Sequence, residues 1–135
     1  MVAGLPDQAA EELRQALPEF DQLGLQSWRP EVLRVLGEAT LAADPTAIDQ
    51  AETLFGEAAR IAEQQGAAML RLRTAVSMAR LYLRLDRVPE GARQLEAAVA
   101  AIAEDDDGPD LREARLMAAR LRARLGTVAA VKGDP

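Results

Sequence analysis

The sequence predicts an all-α protein in which six antiparallel helices stack as helix pairs, and three observations lead to this fold class. In the first, one spacing recurs: a small residue, a large apolar residue four positions later and a second small residue three positions after that. The triplets with this spacing are Ala9, Leu13, Ala16; Ala51, Phe55, Ala58; and Gly91, Leu95, Ala98. Residues at these intervals share one face of an α-helix, so each triplet marks one helix, termed a second-type helix below.

The second observation is a different pattern that follows each triplet. Its residues are Leu33, Leu36, Gly37, Thr40; Ala75, Met78, Ala79, Tyr82; and Ala114, Met117, Ala118, Leu121. They mark helices termed first-type, which alternate with the second-type helices along the chain. Small residues let neighbouring helices approach closely while the large residue fills the hole between them, as a stacked array of helix pairs requires. Such an array favours a binding scaffold over a catalyst.

The third observation is the composition. Of the 135 residues, 49% are hydrophobic but only 3% are aromatic. A core of Ala, Leu, Val, Met and Ile suits stacked helices, whereas a β-sandwich needs more aromatic and β-branched residues. The length is that of one domain. We predict a single helical-repeat domain over residues 1–126, followed by a frayed tail at 127–135.

Proline and glycine mark the boundaries of the first two helices. Pro6 suits a first helical position, and helix one runs toward Leu23, with Pro18 either ending or kinking it. Ser27 is a candidate cap for helix two, with Pro30 in its first turn.

The later boundaries follow the same signals. Helix three starts at the Asp44-Pro45 pair, where Thr46 and Asp49 have capping-box spacing. Gly66 separates helix three from helix four, which covers about 67–85. Helix five opens at Pro89, and helix six runs from near Pro109 to about Leu125.

The two alternating patterns resemble the tetratricopeptide repeat, whose first helix carries a large residue, a large-small pair and an aromatic, and whose second helix carries small and aromatic residues. The stretch from Ala75 to Ala98 matches best. This resemblance implies an α-solenoid with a right-handed superhelix. It also implies that the first-type helices line a concave surface.

A narrower resemblance covers residues from about Gly24 to Leu121. It is carried by the segments SWRPEVLRVLGEA, DPTAIDQAETLFGEAARIAEQQGA, LRTAVSMARLYLRLDRVPEGARQL and DGPDLREARLMAARL. These are similar to the helical C-terminal tail of large bacterial regulators that join a cyclase or DNA-binding domain to a STAND-type ATPase. The resemblance implies an interaction element of a signalling protein, and it carries no catalytic residue onto this chain.

Residue types disfavour several function classes. The chain has no Cys and no His, which removes thiolate chemistry, the commonest metal ligand and the commonest general base. The acidic run Glu104 to Asp107, followed by Gly108, does not fit an EF-hand because Ala103 and Ala114 would occupy its first and last ligand positions. We therefore expect no enzyme activity, no metal and no cofactor. The absence of a signal-peptide pattern and of a long apolar run predicts a cytoplasmic protein with no membrane partner.

Arginine is distributed unevenly. Residues 1–66 contain 12 acidic and 4 basic residues, whereas residues 67–135 contain 10 acidic and 12 basic residues. By the tetratricopeptide resemblance, the inward-pointing positions of the first-type helices include seven arginines: Arg34, Arg73, Arg80, Arg84, Arg112, Arg115 and Arg122. A guanidinium holds a carboxylate through two hydrogen bonds, so such a groove suits a protein partner with an acidic peptide segment or a C-terminal carboxylate.

An internal role for the same arginines stays open. Carboxylates of the chain itself could pair with them, and the candidates are Glu31, Glu38, Glu57, Glu90 and Glu96. Exposed pairs of this kind contribute under about 1 kcal/mol each. Nucleic acid is a disfavoured partner, because the chain is acidic overall, has a single Lys and offers few aromatic platforms.

Helix one and the only tryptophan lead to two further expectations. Helix one has no preceding first-type helix in this sequence, so its apolar residues Leu13, Leu17 and Phe20 cannot all be covered by helix two. This predicts a homodimer through helix one, or an oligomerisation or intramolecular docking element of a larger regulator. Trp28 is expected to pack in the corner between helices one and two, with ligand stacking as the alternative.

Overall fold

The computed structural model describes residues 5–22, 24, 26–102 and 108–132. Within these ranges the chain forms six α-helices and a short 3-10 helix, and it has no strand there. The helices are α1 (Leu5–Gln22), α2 (Arg29–Ala43), α3 (Ile48–Gln65), α4 (Ala68–Arg84), α5 (Val88–Ala100) and α6 (Pro109–Lys132), and the 3-10 helix (Gln26–Trp28) precedes α2. The predicted all-α class with six helices is confirmed.

The chain divides into two compact units, residues 1–74 and residues 75–135, with the boundary inside α4. In the first unit α2 packs against both α1 and α3. In the second unit α5 packs against α6. The predicted division into a domain at 1–126 and a tail at 127–135 stays a prediction.

Several helix ends follow the predicted glycine and proline signals. Gly66 has a left-handed backbone (φ 67°) and ends α3, and the next amide, that of Ala67, donates to the Ala62 carbonyl at 2.8 Å. Pro30 and Pro89 lie in the first turns of α2 and α5, where a missing N–H costs no helical hydrogen bond. α1 continues through Pro18 to Gln22.

The predicted start of α3 is wrong, because Asp44 and Thr46 form a turn instead of a cap. The Asp44 carboxylate accepts hydrogen bonds from the Thr46 amide at 3.0 Å and from the Thr46 hydroxyl at 2.6 Å. An Asp side chain that binds the backbone two residues on favours a turn over helix. α3 therefore begins at Ile48, behind Ala47, which makes no side-chain cap.

Two other predicted ends also differ. Ser27 belongs to the 3-10 helix, and α2 starts at Arg29 behind Trp28 with no side-chain cap. α6 continues to Lys132 instead of ending near Leu125. Gly126 does not break it, since glycine inside a helix costs only about 1 kcal/mol relative to alanine. The acidic run at 104–107 lies outside the described residues.

The core of the first unit is built by the predicted triplet of α3. Ala51, Phe55 and Ala58 are each fully buried. Gly37 of α2 lies directly against the Phe55 ring: a Cβ added at Gly37 would stand 2.6 Å from the ring carbon Cε1. The contact between these helices therefore needs a residue without a side chain opposite the ring.

The core of the second unit uses the same principle with the roles exchanged. Leu95 and Ala98 of α5 are buried, and Gly91 of α5 faces Tyr82 of α4. A Cβ added at Gly91 would stand 3.3 Å from the Tyr82 Cβ atom and 3.5 Å from Ala79 Cα. First-type and second-type helices thus meet through their patterned residues in both units.

The triplet of α1 is less covered than those of α3 and α5. Ala9, Leu13 and Ala16 are all half-buried, and the neighbouring Ala10 is buried instead. Trp28 is 53% exposed, so its predicted burial in the corner is wrong. In the described part of the chain, no helix combines the length and apolarity that crossing a membrane demands.

Candidate binding surface

The seven arginines of the predicted groove fall in both units. Arg34 on α2 and Arg73 on α4 belong to the first unit. The second unit holds Arg80 and Arg84 of α4 and Arg112, Arg115 and Arg122 of α6. The two sets have different surroundings, and each is described within its own unit.

In the first unit, Glu31 lies between two of the predicted groove arginines. Its Oε1 atom is 2.5 Å from Arg34 Nε, and its Oε2 atom is 2.8 Å from Arg73 Nη1. Arg34 reaches Glu31 because residues three apart are neighbours on a helix, while Arg73 comes from α4. The Glu31 side chain is only 18% exposed. An incoming carboxylate would compete with Glu31 for these guanidinium groups.

Two opposed effects act on the pKa of Glu31. Burial disfavours the charged carboxylate and raises the pKa, whereas the hydrogen bonds and charges of Arg34 and Arg73 lower it. The arginines prevail, so the pKa lies below its ordinary value of 4.5. Glu31 is therefore a charged, internally paired group at neutral pH.

In the second unit, Arg80 of α4 forms an ion pair with Glu113 of α6 through its Nη2 atom. Both side chains are about half exposed, at 48% and 51%. Water screens such a pair, which stabilises the fold by about 0.2–1 kcal/mol. Arg84, on the same helix, also has an interaction partner.

The arginines of α6 are the most open of the set. Arg112, Arg115 and Arg122 are all exposed, and their spacing of three and seven residues puts them along one side of the helix. The Arg122 Nε atom donates to the Ala118 carbonyl at 3.4 Å. Within the described residues, the side chains of Arg112 and Arg115 form no ion pair. We term these three residues the α6 arginine stripe.

Two of the candidate internal carboxylates pair with arginines three residues away along the chain. Glu57 accepts a hydrogen bond from Arg60 Nε at 3.0 Å, and Glu90 pairs with Arg87 Nη2 at 2.8 Å. The hydrogen bonds from these arginines lower the pKa of each carboxyl. The Arg87 guanidinium also lies 4.7 Å from the centre of the Tyr82 ring, which fixes it at the start of α5.

Two open clefts are lined by described residues, one in each unit. One, of about 580 Å³, lies in the first unit and is lined by Arg14 of α1 and by Asp49, Gln50, Thr53 and Leu54 of α3. Another, of about 370 Å³, is lined by Leu83, Arg120, Ala123 and Arg124. Among the described residues, no cluster of three or more acidic side chains has the arrangement to hold a metal ion.

No protein-family model, no curated protein and no solved structure matches this chain. The resemblances to the tetratricopeptide repeat and to the tail of STAND-type regulators therefore rest on the residues of this chain alone.

Proposed function

We propose that this chain is a non-catalytic protein–protein interaction module that binds an acidic segment of a partner protein through the α6 arginine stripe. The observation that carries the proposal is the exposure of Arg112, Arg115 and Arg122 along one side of α6. A guanidinium that pairs with no carboxylate among the described residues retains its planar set of donors for a partner carboxylate.

The other groove arginines play a lesser part in this proposal. Arg34 and Arg73 share Glu31, and Arg80 pairs with Glu113. A ligand carboxylate would have to displace these built-in partners, which reduces the gain from binding. The stripe is thus the part of the predicted groove where an acidic segment gains most.

We further propose the architecture that the tetratricopeptide resemblance implies. The six helices form a tetratricopeptide-like α-solenoid with a right-handed superhelix, and the stripe lies on its concave face. The module acts in the cytoplasm as the interaction element of a larger bacterial signalling regulator. The contacts of Gly37 with Phe55 and of Gly91 with Tyr82 support this architecture, because they join first-type to second-type helices as such repeats do.

The test is binding of a fluorescently labelled peptide of alternating Asp and Glu, followed by anisotropy. We expect weak binding that weakens further with salt, because the Debye length falls from about 10 Å at 0.1 M to about 3 Å at 1 M. Arg115→Glu should weaken binding about tenfold or more, since it replaces an attraction with a repulsion.

The matched control is Arg93→Glu, which makes the same charge change at an exposed position on α5. It should leave peptide binding within about twofold of the wild type. Equal losses in the two variants would show attraction by overall charge only, and the absence of salt-sensitive binding would contradict the proposal.

Oligomerisation is a second candidate function, and specific residues favour it. Leu116 on α6 is 69% exposed, and the triplet of α1 is only half-buried. Apolar side chains that are exposed on α6 and only partly covered on α1 indicate surfaces that association could cover.

A further inference from the structure

The outer face of α6 combines apolar and basic residues. Leu116, Ala119 and Ala123 are all exposed and share this face, since they are spaced three and four residues apart. Leu116 is the most exposed of the large hydrophobic residues in the described part of the chain, at 69%. Arg115 and Arg122 lie along one edge of the same face. This face therefore offers an apolar strip with a basic edge.

The partly covered face of α1 is complementary to this face of α6. At the positions of Ala9, Leu13 and Ala16, α3 has the fully buried Ala51, Phe55 and Ala58. In α5 the corresponding residues are also buried. The same small-large-small pattern is only half-buried in α1. The packing surface of α1 thus remains partly uncovered.

The charges beside the two surfaces are complementary. Glu12 and Glu19 lie beside the α1 triplet, and both are exposed with no ion pair within the described residues. They are seven residues apart, about 10.5 Å along a helix, which is also the spacing of Arg115 and Arg122. When two helices pack antiparallel, residues that flank the contact on the same side of each helix face one another. An antiparallel contact would therefore set Glu12 opposite Arg122 and Glu19 opposite Arg115.

From this match we infer that copies of the chain associate head to tail, with α6 of one copy packed antiparallel against α1 of the next. The inference rests on the proposed function, since it identifies the acidic segment as α1 of a second copy. The contact places a first-type helix against a second-type helix, as α2 lies against α3 within the chain. Because the two surfaces differ, a copy bound through one of them leaves the other uncovered, and the assembly grows by further copies or closes as a ring.

Sedimentation velocity over a range of concentrations tests the contact. The wild type should show a mass that rises with concentration beyond that of a dimer, and the rise should shrink at high salt. Two charge-reversed double variants are compared with it: Arg115→Glu with Arg122→Glu, and Glu12→Arg with Glu19→Arg. Each variant alone should remain monomeric, because its two surfaces carry like charges. Their mixture should associate, because opposite charges then meet at every contact.

Circular dichroism of each variant first establishes that it is folded, and Arg93→Glu on α5 serves as the control that retains wild-type association. A mixture of the two double variants that stays monomeric would overturn the head-to-tail contact. So would wild-type association that neither double variant weakens.

The outcomes separate this inference from the proposed function. A wild type that binds the acidic peptide but stays monomeric at every concentration overturns the head-to-tail contact and leaves the function standing. Association rescued in the mixture, without binding of free peptide, supports the contact and restricts the stripe to a homotypic partner. In a wild type that does both, the peptide should lower the assembled mass, because it competes for the stripe.

Discussion

In each unit a glycine of one helix packs against an aromatic ring of a neighbouring helix, but the helix types that carry the glycine and the ring are exchanged between the units. In residues 1–74 the glycine belongs to the first-type helix and the ring to the second-type helix, as Gly37 of α2 lies against Phe55 of α3. In residues 75–135 the ring belongs to the first-type helix, as Tyr82 of α4 lies against Gly91 of α5. The contact therefore depends on one small and one large residue meeting, whichever helix supplies each. The first contact is the tighter, with 2.6 Å against 3.3 Å for an added Cβ.

The largest effect is expected from removing the ring of the tighter contact. Phe55→Ala deletes a fully buried side chain, and the cavity should lower the free energy of unfolding by about 3–5 kcal/mol. Urea denaturation followed by circular dichroism measures this. Gln64→Ala, at an exposed position of the same helix, is the control. Equal midpoints for the two variants would remove Phe55 from the core and, with it, the repeat pattern.

Replacing each of the two glycines by alanine should show which contact between helices is the tighter. Gly37→Ala forces the Phe55 ring to move, and overpacking of this kind costs about 1–3 kcal/mol. Gly91→Ala needs only a small shift of Tyr82, and the better helix propensity of alanine, about 1 kcal/mol, offsets most of its cost. Thermal melts should therefore show a clear loss for Gly37→Ala and little change for Gly91→Ala.

Gly56 supplies the reference for that ranking. It lies inside α3, and an added Cβ would meet no atom within 4 Å. Gly56→Ala should therefore raise stability by about 0.5–1 kcal/mol. If Gly37→Ala raised the melting temperature as much as Gly56→Ala, the close approach of α2 to Phe55 would be wrong.

The ion pairs of Glu31 in the first unit should have the next largest effect on stability. Glu31→Gln leaves Arg34 and Arg73 without their carboxylate, and hydrogen bonds to charged groups of this burial contribute roughly 1–3 kcal/mol. Because the pKa of Glu31 is lowered in the folded state, its contribution is complete above the ordinary pKa of 4.5 and is lost as the pH falls through the lower folded value. The stability difference between wild type and Glu31→Gln should thus shrink below about pH 4.5. A difference independent of pH would contradict this account.

The smallest effect is expected at the exposed pair of the second unit. A double-mutant cycle with Arg80→Gln and Glu113→Gln should give a coupling of about 0.2–1 kcal/mol, because both side chains are half exposed. The coupling should fall further in 1 M salt, where the Debye length is about 3 Å. A coupling as large as the destabilisation expected for Glu31→Gln would mean that the Arg80–Glu113 pair is desolvated.

The elements that could be predicted from the sequence are those set by local chemistry. Gly66 ends α3 because the left-handed backbone there favours glycine, and Pro30 and Pro89 start helices because their ring fixes φ. The start of α3 was missed because two local signals competed. Thr46 has the spacing of a cap, but the Asp44 carboxylate accepts hydrogen bonds from its amide and its hydroxyl.

Side-chain partners across helices could not be predicted in the same way. The pairing of Arg34 with Glu31 follows from a spacing of three residues. Arg80 and Glu113 are 33 residues apart in sequence, and their pairing depends on where α6 lies beside α4. Trp28 was expected in a corner, but a 3-10 turn at Gln26–Trp28 leaves its indole half in water. Whether the seven groove arginines bind a ligand stays a prediction.

The exposure of Trp28 determines what tryptophan fluorescence reports about the unfolding of this protein. It is the only tryptophan, and it is 53% exposed in the native state. We expect red-shifted emission in the native state, because water already surrounds much of the indole, and a small further red shift on denaturation as the rest of the side chain becomes exposed. Fluorescence would then follow the short turn before α2, while circular dichroism follows all the helices. Coincident transitions from these two probes would show that this edge of the molecule melts together with the rest.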